Sequence, residues 1–302
     1  MSQSQQPDLR GKGAIVTGGG SGICLAFTKA IYQAGCNVLI CDLALHREAQ
    51  AWLDTLNQDS TTSTQNPRVV FTKTDVSDWS QLEKAFDTYD KEFGGVPYVL
   101  CPGAGIYEPS APNFWNDKDD TSYKILRINL DHPLKMSRIA IRRWVQTGTR
   151  GHIVLVSSTG AQKSSILTPL YGAAKQGISN FARAMAPLYE MEGIRVTAVA
   201  PGPTMSPLMY DHPEAIRFVD PSKDKLCSTD EIARGMMAVG FDTAKFPPGT
   251  VLEVTHPDRW REVFLLNDPG PGPHAWTSRK DEAIVDIVKA LEEDKRMVTG
   301  KA

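Results

Sequence analysis

A tyrosine and a lysine four residues apart, Tyr171 and Lys175, are the side chains of this sequence best placed for acid–base chemistry. They lie in the stretch YGAAK, within residues 171–192, where helical periodicity puts residues four apart on one face. A free tyrosine has a pKa of about 10 and is a poor base near neutral pH, but a neighbouring ammonium group lowers that pKa. Such pairs also occur by chance, so the rest of the sequence must decide between a reactive pair and an ordinary helix surface.

A glycine-rich turn, VTGGGSGI, follows the first apolar run and opens the first helical stretch. Glycines let the backbone approach a pyrophosphate, and a helix N-terminus presents free N–H groups to it. The predicted contacts in the turn are Gly18, Gly20, Ser21, Gly22 and Ile23. The sequence therefore predicts a dinucleotide site here.

Asp42 ends the next apolar run, NVLICD, about 20 residues after the turn. A carboxylate at that position accepts hydrogen bonds from the adenosine ribose hydroxyls and repels a ribose phosphate. No Arg or Lys follows Asp42 immediately, so the predicted cofactor is NAD and not NADP. The alternative interpretation of Asp42 is a helix cap or turn residue.

Short apolar runs alternate with stretches of helical periodicity from residue 13 to residue 254. The predicted strands cover residues 13–17, 37–42, 68–75, 98–101, 152–158, 194–202 and 250–254. The predicted helices include residues 22–34, 78–93, 121–146, 171–192 and 228–239, and residues 57–67 are predicted to be a surface loop between a helix and a strand. This alternation predicts an α/β fold, a doubly wound parallel sheet of Rossmann type in a single domain with a C-terminal extension.

The predicted boundaries follow the changes in composition. Residues 1–10 are predicted to be a disordered arm, and residues 11–255 the dinucleotide-binding domain, with a substrate segment at 203–227. The C-terminal extension covers residues 256–302; it is rich in Pro and Gly at first and then has a charged, helix-like stretch at 280–295.

The composition of the 302 residues is that of an ordinary soluble protein, with 41% hydrophobic and 23% charged residues. A net charge of −2 gives no reason to expect nucleic acid or a membrane surface as partner. No apolar run approaches the roughly 20 residues that span a bilayer, and the predicted location is cytoplasmic. The five cysteines form no Cys-x-x-Cys pair, which favours buried reduced thiols over zinc or disulfides.

Over about residues 10–254 the sequence resembles the short-chain dehydrogenase/reductase family. The positions that match the family's motifs are Thr17, Gly18 and Gly22 in the turn, Asp75 and Val76 after the third strand, Asn129, Ser158 thirteen residues before Tyr171, and the Pro201-Gly202 turn. The resemblance also implies cofactor contacts at Gly103, Ala104, Gly105, Thr204 and Ser206.

The resemblance implies a role for each member of a catalytic tetrad. Tyr171 is the acid and base, and Ser158 hydrogen-bonds the substrate oxygen beside it. Lys175 lowers the pKa of Tyr171 and binds the nicotinamide ribose, and Asn129 connects Lys175 to bulk water. Hydride transfer at a carbinol carbon must be matched by proton transfer at its oxygen. The neighbouring Ser157 is rejected because the family's thirteen-residue spacing selects Ser158.

Two departures from the family pattern concern the cofactor side. Cys24 replaces the third glycine of the turn, so we expect slightly wider packing of the first helix. Pro102 and Gly103 replace two asparagines that tie neighbouring loops together in the family, so we expect weaker cofactor binding or a reshaped substrate face.

The predicted function is an NAD-dependent oxidoreductase that interconverts a secondary alcohol and a ketone. The layout resembles the 15-hydroxyprostaglandin dehydrogenase branch and also fungal secondary-metabolite dehydrogenases. One alternative is a dinucleotide-binding member with a non-redox role as a cyclase, isomerase or regulator. Another is a methyltransferase, which gives no reason for the tetrad. The family implies a homodimer or homotetramer through the helices at 121–146 and 171–192.

The substrate is predicted to be a bulky, largely apolar small molecule. The segment after the Pro-Gly turn carries Met205, Leu208, Met209, Tyr210, Ile216 and Phe218. Such residues adapt to an irregular apolar ligand, although packing against the core or a partner subunit is the alternative. Trp260, Phe264 and Trp276 of the extension either close over the same opening or pack at an interface.

Overall fold

The strands of the sheet follow the apolar runs of the sequence. The computed structural model describes residues 7–58, 66–108, 114–116, 122–217, 219–220, 222–264 and 284–297. The strands are β1 (Gly13–Thr17), β2 (Asn37–Asp42), β3 (Val69–Lys73), β4 (Val99–Pro102), β5 (His152–Val156), β6 (Arg195–Pro201), β7 (Val251–Thr255) and β8 (Arg259–Glu262). Within the described residues they form one sheet of order β3-β2-β1-β4-β5-β6-β7-β8, parallel except for β8.

Helices connect the strands. They are α1 (Gly22–Gln33), α2 (Arg47–Gln58), α3 (Trp79–Phe93), α4 (Lys124–Leu126), α5 (His132–Thr147), α6 (Pro169–Ala184), α7 (Leu188–Glu192), α8 (Pro207–Tyr210), α9 (Pro213–Ile216), α10 (Thr229–Phe241) and α11 (Ile284–Arg296). A π-helical turn, Arg127–Asp131, joins α4 to α5. Short 3₁₀ turns lie at Phe114–Asn116 and Thr159–Ala161.

Both faces of the sheet are covered. Successive residues of a strand point to opposite faces, so Ile15 of β1 packs in one core cluster with Met136 of α5, and Val16 packs in the other with Phe27 of α1. Parallel strands covered in this way are buried on both sides, which explains their continuous apolar sequences. The predicted doubly wound α/β fold is confirmed.

Two of the observed elements, α2 and β8, have no bounds in the sequence prediction. Helix α2 buries only Ala49 and Leu53 among its twelve residues, so its sequence is too polar to give a clear apolar stripe. Strand β8 has the sequence RWRE and lies in the predicted C-terminal extension. It forms because β7 offers a free edge, which no local pattern predicts.

Two predicted helices are interrupted. The stretch 121–146 contains the π-helical turn before α5. The stretch 171–192 begins earlier, at Pro169, and is divided into α6 and α7, with Pro187 at the N-cap of α7. Proline lacks the N–H that a continuous helix needs at that position.

The ends of the chain pack more closely than the sequence suggests. Leu9 is buried and its N–H donates to the Ala34 carbonyl, although the sequence predicts a disordered arm through residue 10; residues 1–6 lie outside the described part. Helix α11 (Ile284–Arg296) lies where the sequence predicts a helix-like stretch, at 280–295. Its Asp294 pairs with Arg138 of α5 at 2.7 Å, and its Leu291 is buried.

All five cysteines are free and buried, as predicted. In the part of the chain that the structure describes, no helix is long and apolar enough to cross a membrane. The same residues contain no cluster of His, Cys, Asp and Glu that could hold a metal ion.

Candidate active site

The carboxyl ends of the parallel strands open into a cleft of about 670 Å³. The sheet grows outward from β1 through β2 and β3 on one side, and through β4 to β7 on the other. The cleft lies at this reversal, because its walls include both the turn after β1 and the loop after β4. Ligands of open α/β sheets bind at such switch points.

The glycine-rich turn touches the loop after β4 at the level of the backbone. Gly18 has a φ of +71°, and a Cβ added there would lie 2.8 Å from the Cα of Ala104. Any other residue would be strained and would push the two segments apart. The turn continues into the N-terminus of α1, where Ser21, Gly22 and Ile23 line the cleft. A diphosphate fits this cradle, because free N–H groups and the helix dipole both favour an anion.

The Asp42 carboxylate is held in place by backbone N–H groups. Its Oδ2 accepts from Gly20 at 2.9 Å and its Oδ1 accepts from Leu43 at 2.7 Å. Burial raises the pKa of Asp42, and these backbone hydrogen bonds oppose the rise. Asp42 also lines the cleft, so a fixed hydrogen-bond acceptor faces the cleft.

Most of the predicted cofactor residues meet in this cleft. Those that line it are Gly18, Ser21, Gly22, Ile23, Asp42, Asp75, Val76, Gly103, Ala104, Gly105, Tyr171, Lys175, Pro201, Gly202, Thr204 and Ser206. Gly20 is not among them. It lies behind Asp42, and an added Cβ there would come within 2.5 Å of the Ala44 carbonyl oxygen. Gly20 supports Asp42, because its N–H donates to the Asp42 carboxylate.

A buried chain of hydrogen bonds ties the turn to the loop that lacks the family's asparagines. The Ala104 N–H donates to Thr17 Oγ1 at 3.1 Å, and the same oxygen lies 3.1 Å from His132 Nε2. Burial lowers the pKa of His132 to about 4, so the ring is neutral. Its Nδ1 lies 3.1 Å from the Ile128 carbonyl oxygen, which leaves Nε2 to accept from Thr17.

The two departures at Cys24 and Gly103 fit each other. A Cβ added at Gly103 would overlap the sulfur of Cys24, and it would lie 3.3 Å from the sulfur of Cys101. The thiol therefore occupies the space that a side chain at position 103 would need. This fit shows where the thiol that stands in place of the third glycine is accommodated, and the expected slight widening of the α1 contact stays a prediction.

Tyr171, Lys175 and Ser158 all line the cleft. Burial of the Tyr171 phenol raises its pKa to about 12, and a hydrogen bond with the Ser158 side chain opposes the rise. Burial lowers the pKa of Lys175 to about 8, and its Nζ donates to the Val156 carbonyl at 2.9 Å. The ammonium lies 5.7 Å from the centre of the Tyr171 ring. The first two turns of α6 thus bring an acid–base pair to the cleft, with the Ser158 hydroxyl beside it.

Ser157, which the sequence analysis rejects as the catalytic serine, also lines the cleft, but its hydroxyl makes structural contacts. Its hydroxyl is buried, donates to the Lys175 carbonyl at 2.9 Å and lies 2.7 Å from Ser179 Oγ. These contacts fasten α6 to the end of β5. Ser158, the next residue, faces the cleft and its Oγ accepts from the Gly160 N–H at 3.0 Å.

Asn129 lies in the π-helical turn and is fully buried. Its Oδ1 accepts from the Ile106 N–H at 2.9 Å, and its Nδ2 donates to the Ile106 carbonyl at 2.8 Å. The side chain therefore holds the loop after β4 in place. It does not line the cleft, and its predicted connection of Lys175 to bulk water stays a prediction. Single π turns inside helices are common at functional sites.

Sequence reasoning missed two residues of this loop. Tyr107 lines the cleft, and its ring packs edge-on against that of Tyr171 with the centroids 5.1 Å apart. Glu108 is completely buried, and its Oε2 accepts from the Tyr171 N–H at 2.9 Å. The only signal in the sequence is an acidic residue shortly after an apolar run, which is too common to select Glu108.

The substrate segment contributes in part to the cleft. Leu208 and Met209 line it, and Lys163 stands at its rim. The remaining described members of the predicted apolar set, Met205, Tyr210 and Ile216, do not line it, and Phe218 lies outside the described residues. In the extension, Trp260 packs against Phe246, Phe264 is exposed, and Trp276 lies outside the described residues.

Comparisons with known proteins identify the class. The family model for short chain dehydrogenases matches residues 12–216. The chain therefore belongs to the short-chain dehydrogenase/reductase family. It is an oxidoreductase whose cofactor is a nicotinamide dinucleotide, in agreement with the phosphate cradle and Asp42.

Individual relatives are more distant. The chain is 31% identical to cis-4-hydroxycyclohexanecarboxylate dehydrogenase of Sinomonas cyclohexanicum, over 80% of this chain and 94% of that protein. It is 26% identical to a chloroplastic NADPH-dependent aldehyde reductase of Arabidopsis thaliana, over 67% of this chain and 75% of that protein. The crystal structure of levodione reductase matches with a TM-score of 0.66 and 24% identity, covering 82% of this chain and 97% of that one, which supports the fold alone. The resemblance to the 15-hydroxyprostaglandin dehydrogenase branch stays a prediction.

Proposed function

We propose that this protein is an NAD-dependent oxidoreductase that interconverts a secondary alcohol and a ketone on a bulky, largely apolar small molecule, with Tyr171 as the acid and base. The observation that carries the proposal is the meeting of Ser158, Tyr171 and Lys175 in the cleft that also contains the glycine-rich turn and Asp42. An acid–base pair beside a dinucleotide cradle suits reactions in which a hydride and a proton move together.

In the direction of reduction, Tyr171 donates its phenolic proton to the ketone oxygen while the carbonyl carbon receives the hydride. In oxidation the tyrosinate takes the proton back from the alcohol. The nicotinamide, when bound, supplies or accepts the hydride. Ser158 hydrogen-bonds the substrate oxygen, and the Lys175 ammonium favours the tyrosinate through its charge. Burial raises the pKa of Tyr171 to about 12, so near neutral pH the phenol of the cofactor-free protein is protonated and cannot accept a proton; the Lys175 charge is therefore needed for oxidation.

The choice of NAD rests on Asp42. Its carboxylate is fixed by Gly20 and Leu43 and faces the cleft, where it accepts hydrogen bonds from ribose hydroxyls and repels a ribose phosphate. The names of relatives do not decide the matter, since one of them is NADPH-dependent. The proposed substrate rests on the apolar wall formed by Tyr107, Leu208 and Met209. The bacterial relative named for a hydroxycyclohexane carboxylate makes ring-bearing alcohols the first compounds to test.

The non-redox alternative rests on the altered residues of the glycine-rich turn and of the loop after β4, two of which, Cys24 and Gly103, pack against each other. Those departures leave Ser158, Tyr171 and Lys175 together in the cleft. A redox function is therefore the better supported of the two.

The test is a screen of secondary alcohols and ketones with NAD(H) and NADP(H), followed by nicotinamide absorbance. Ring-bearing and long-chain compounds are compared with short hydroxy acids and polyols. Tyr171→Phe is expected to abolish turnover and to leave NADH binding and the fold nearly unchanged, because only the proton-transferring hydroxyl is lost. Near-normal activity of Tyr171→Phe would refute the mechanism. A clear preference for small polar compounds would refute the substrate class and leave the mechanism standing.

A further inference from the structure

Glu108 is a buried carboxylate with no place in the family's tetrad. It has no exposed surface, and it follows Tyr107 in the loop after β4. Its Oε2 accepts from the Tyr171 N–H at 2.9 Å, and its Oε1 accepts from the Phe114 N–H at 3.3 Å. Burying a carboxylate costs free energy unless hydrogen bonds satisfy its oxygens. The position of Glu108 against the backbone of Tyr171 therefore needs a physical reason.

The N-terminus of α6 explains why an acceptor is needed there. The first amides of a helix have no acceptor within the helix, and Tyr171 is the third residue of α6. Thr168, at the N-cap, makes no side-chain capping hydrogen bond. Glu108 supplies the missing acceptor from 63 residues away, and its negative charge suits the positive end of the helix dipole. The cap of the catalytic helix therefore comes from the loop that lines the substrate side.

The same loop is fixed at a second point. Asn129 holds both the N–H and the carbonyl of Ile106, and Glu108 holds Tyr171. Tyr107 lies between these two anchors, and its ring packs edge-on against the Tyr171 ring at 5.1 Å. A small displacement of a reacting group lowers the reaction rate strongly. Both rings of this contact, that of Tyr107 and that of Tyr171, must therefore be held in place.

We propose that Glu108 is a positioning residue, which fixes the Tyr171 backbone and the Tyr107 ring relative to each other and so sets the place of the Tyr171 hydroxyl. Glu108 does not line the cleft, so it acts through Tyr171 and Tyr107. Its effect on rate rests on the proposed function, whereas its hold on Tyr171 is measurable without any turnover.

The experiment compares Glu108→Met, which removes both acceptors in a side chain of similar length, with Glu108→Gln, which keeps one neutral acceptor. Glu231→Gln is the matched control, because Glu231 is also a buried carboxylate that accepts two backbone N–H groups, that of Ser228 at the N-cap of α10 and that of Asp258. For each protein we would measure the Kd for NADH, the melting temperature, and kcat and KM for the best ketone, and for its NADH-bound form the amide hydrogen exchange at Tyr171.

Glu108→Met is expected to speed exchange of the Tyr171 amide and to lower kcat about 10- to 100-fold, with the Kd for NADH within about twofold. Glu108→Gln should recover most of kcat and exchange at an intermediate rate, because an amide oxygen accepts more weakly than a carboxylate. Glu231→Gln should lower the melting temperature and leave kcat and Tyr171 exchange unchanged. If Glu108→Met fails to fold, Glu108→Gln decides, and unchanged Tyr171 exchange in that variant overturns the proposal.

Two outcomes separate this inference from the proposed function. Full kcat in Glu108→Met, beside an inactive Tyr171→Phe, would overturn the positioning role and leave the proposed function intact. A wild-type protein that turns over no alcohol or ketone would overturn the proposed function. In that case the exchange of the Tyr171 amide still decides whether Glu108 holds it.

Discussion

At the scale of single residues, Asp42 carries the choice of cofactor. Asp42→Ala is expected to weaken NADH binding about tenfold and to narrow or reverse the preference over NADPH, because the acceptor for the ribose hydroxyls and the charge that repels a phosphate are both lost. Fluorescence titration with both nucleotides measures this. Asp54→Ala, which removes an exposed carboxylate from α2, is the control and should change neither affinity. Equal or tighter NADPH binding by the wild-type protein would contradict the assignment.

Lys175 is expected to lower the stability of the cofactor-free protein. Burial lowers its pKa to about 8, whereas an unfolded lysine titrates near about 10.4. The folded state therefore disfavours the ammonium; the penalty is fully present below pH 8 and disappears as the pH rises towards 10.4. Lys175→Met should be more stable than wild type by about 1–3 kcal/mol at pH 7, a gain that shrinks by pH 10.

Urea unfolding at the two pH values measures the gain. Lys84→Met, at an exposed position of α3, is the control and should show no such change. A Lys175→Met variant less stable than wild type at pH 7 would mean that the hydrogen bond to Val156 outweighs the cost of burying the charge.

The difference between predictable and unpredictable residues is visible at this scale. Tyr171 and Lys175 share one helix face, and Asp42 ends a strand at a fixed distance from the glycine-rich turn. Their positions relative to each other in the fold can therefore be predicted from their spacing in the sequence. Glu108 meets Tyr171 across 63 residues, in a loop without periodicity. Only the register of β4 against β5 brings the two together, and that register is a property of the folded sheet.

At the scale of elements, the packing of α1 on the loop after β4 depends on the complementary sizes of Cys24 and Gly103. Gly103→Ala is expected to lower the free energy of unfolding by about 1–3 kcal/mol, because its Cβ overlaps the Cys24 sulfur. In Cys24→Ala the same change should cost about 1 kcal/mol less, since the sulfur is gone. Urea unfolding of the four proteins of this cycle measures the coupling, and strictly additive costs would show that the two residues do not share the space.

The sequence predicts elements well where burial on both faces imposes an apolar run, as in β1, β2 and β6. It gives no bounds for α2, which lies on the surface and buries only Ala49 and Leu53. It also fails for β8, whose four residues become a strand by pairing with β7. An element that forms because of its contacts with a neighbouring element, and not because of its own hydrophobic pattern, is not predicted from the sequence.

At the scale of the whole molecule, the C-terminal extension returns to the domain and fastens two of its helices. Helix α11 contacts α5 through the ion pair of Asp294 with Arg138, and α7 through Lys295 and Glu192 at 2.9 Å. Leu291 is buried in the core cluster that contains α5. The predicted homo-oligomer uses the stretches 121–146 and 171–192, so α11 lies on helices that the prediction assigns to a partner subunit.

Leu291→Ala tests whether the extension belongs to the cooperative fold. Removing this buried side chain is expected to lower the free energy of unfolding by about 2–3 kcal/mol in a single transition. Val285→Ala, at a position of the same helix that is 66% exposed, should stay within about 0.5 kcal/mol of wild type. Both variants should keep kcat and KM, because no residue of α11 lines the cleft. Urea unfolding followed by circular dichroism, with steady-state kinetics on the same samples, measures both. Unchanged stability in Leu291→Ala would mean that α11 opens independently of the domain, and a loss of kcat at unchanged stability would mean that the extension acts on the cleft itself.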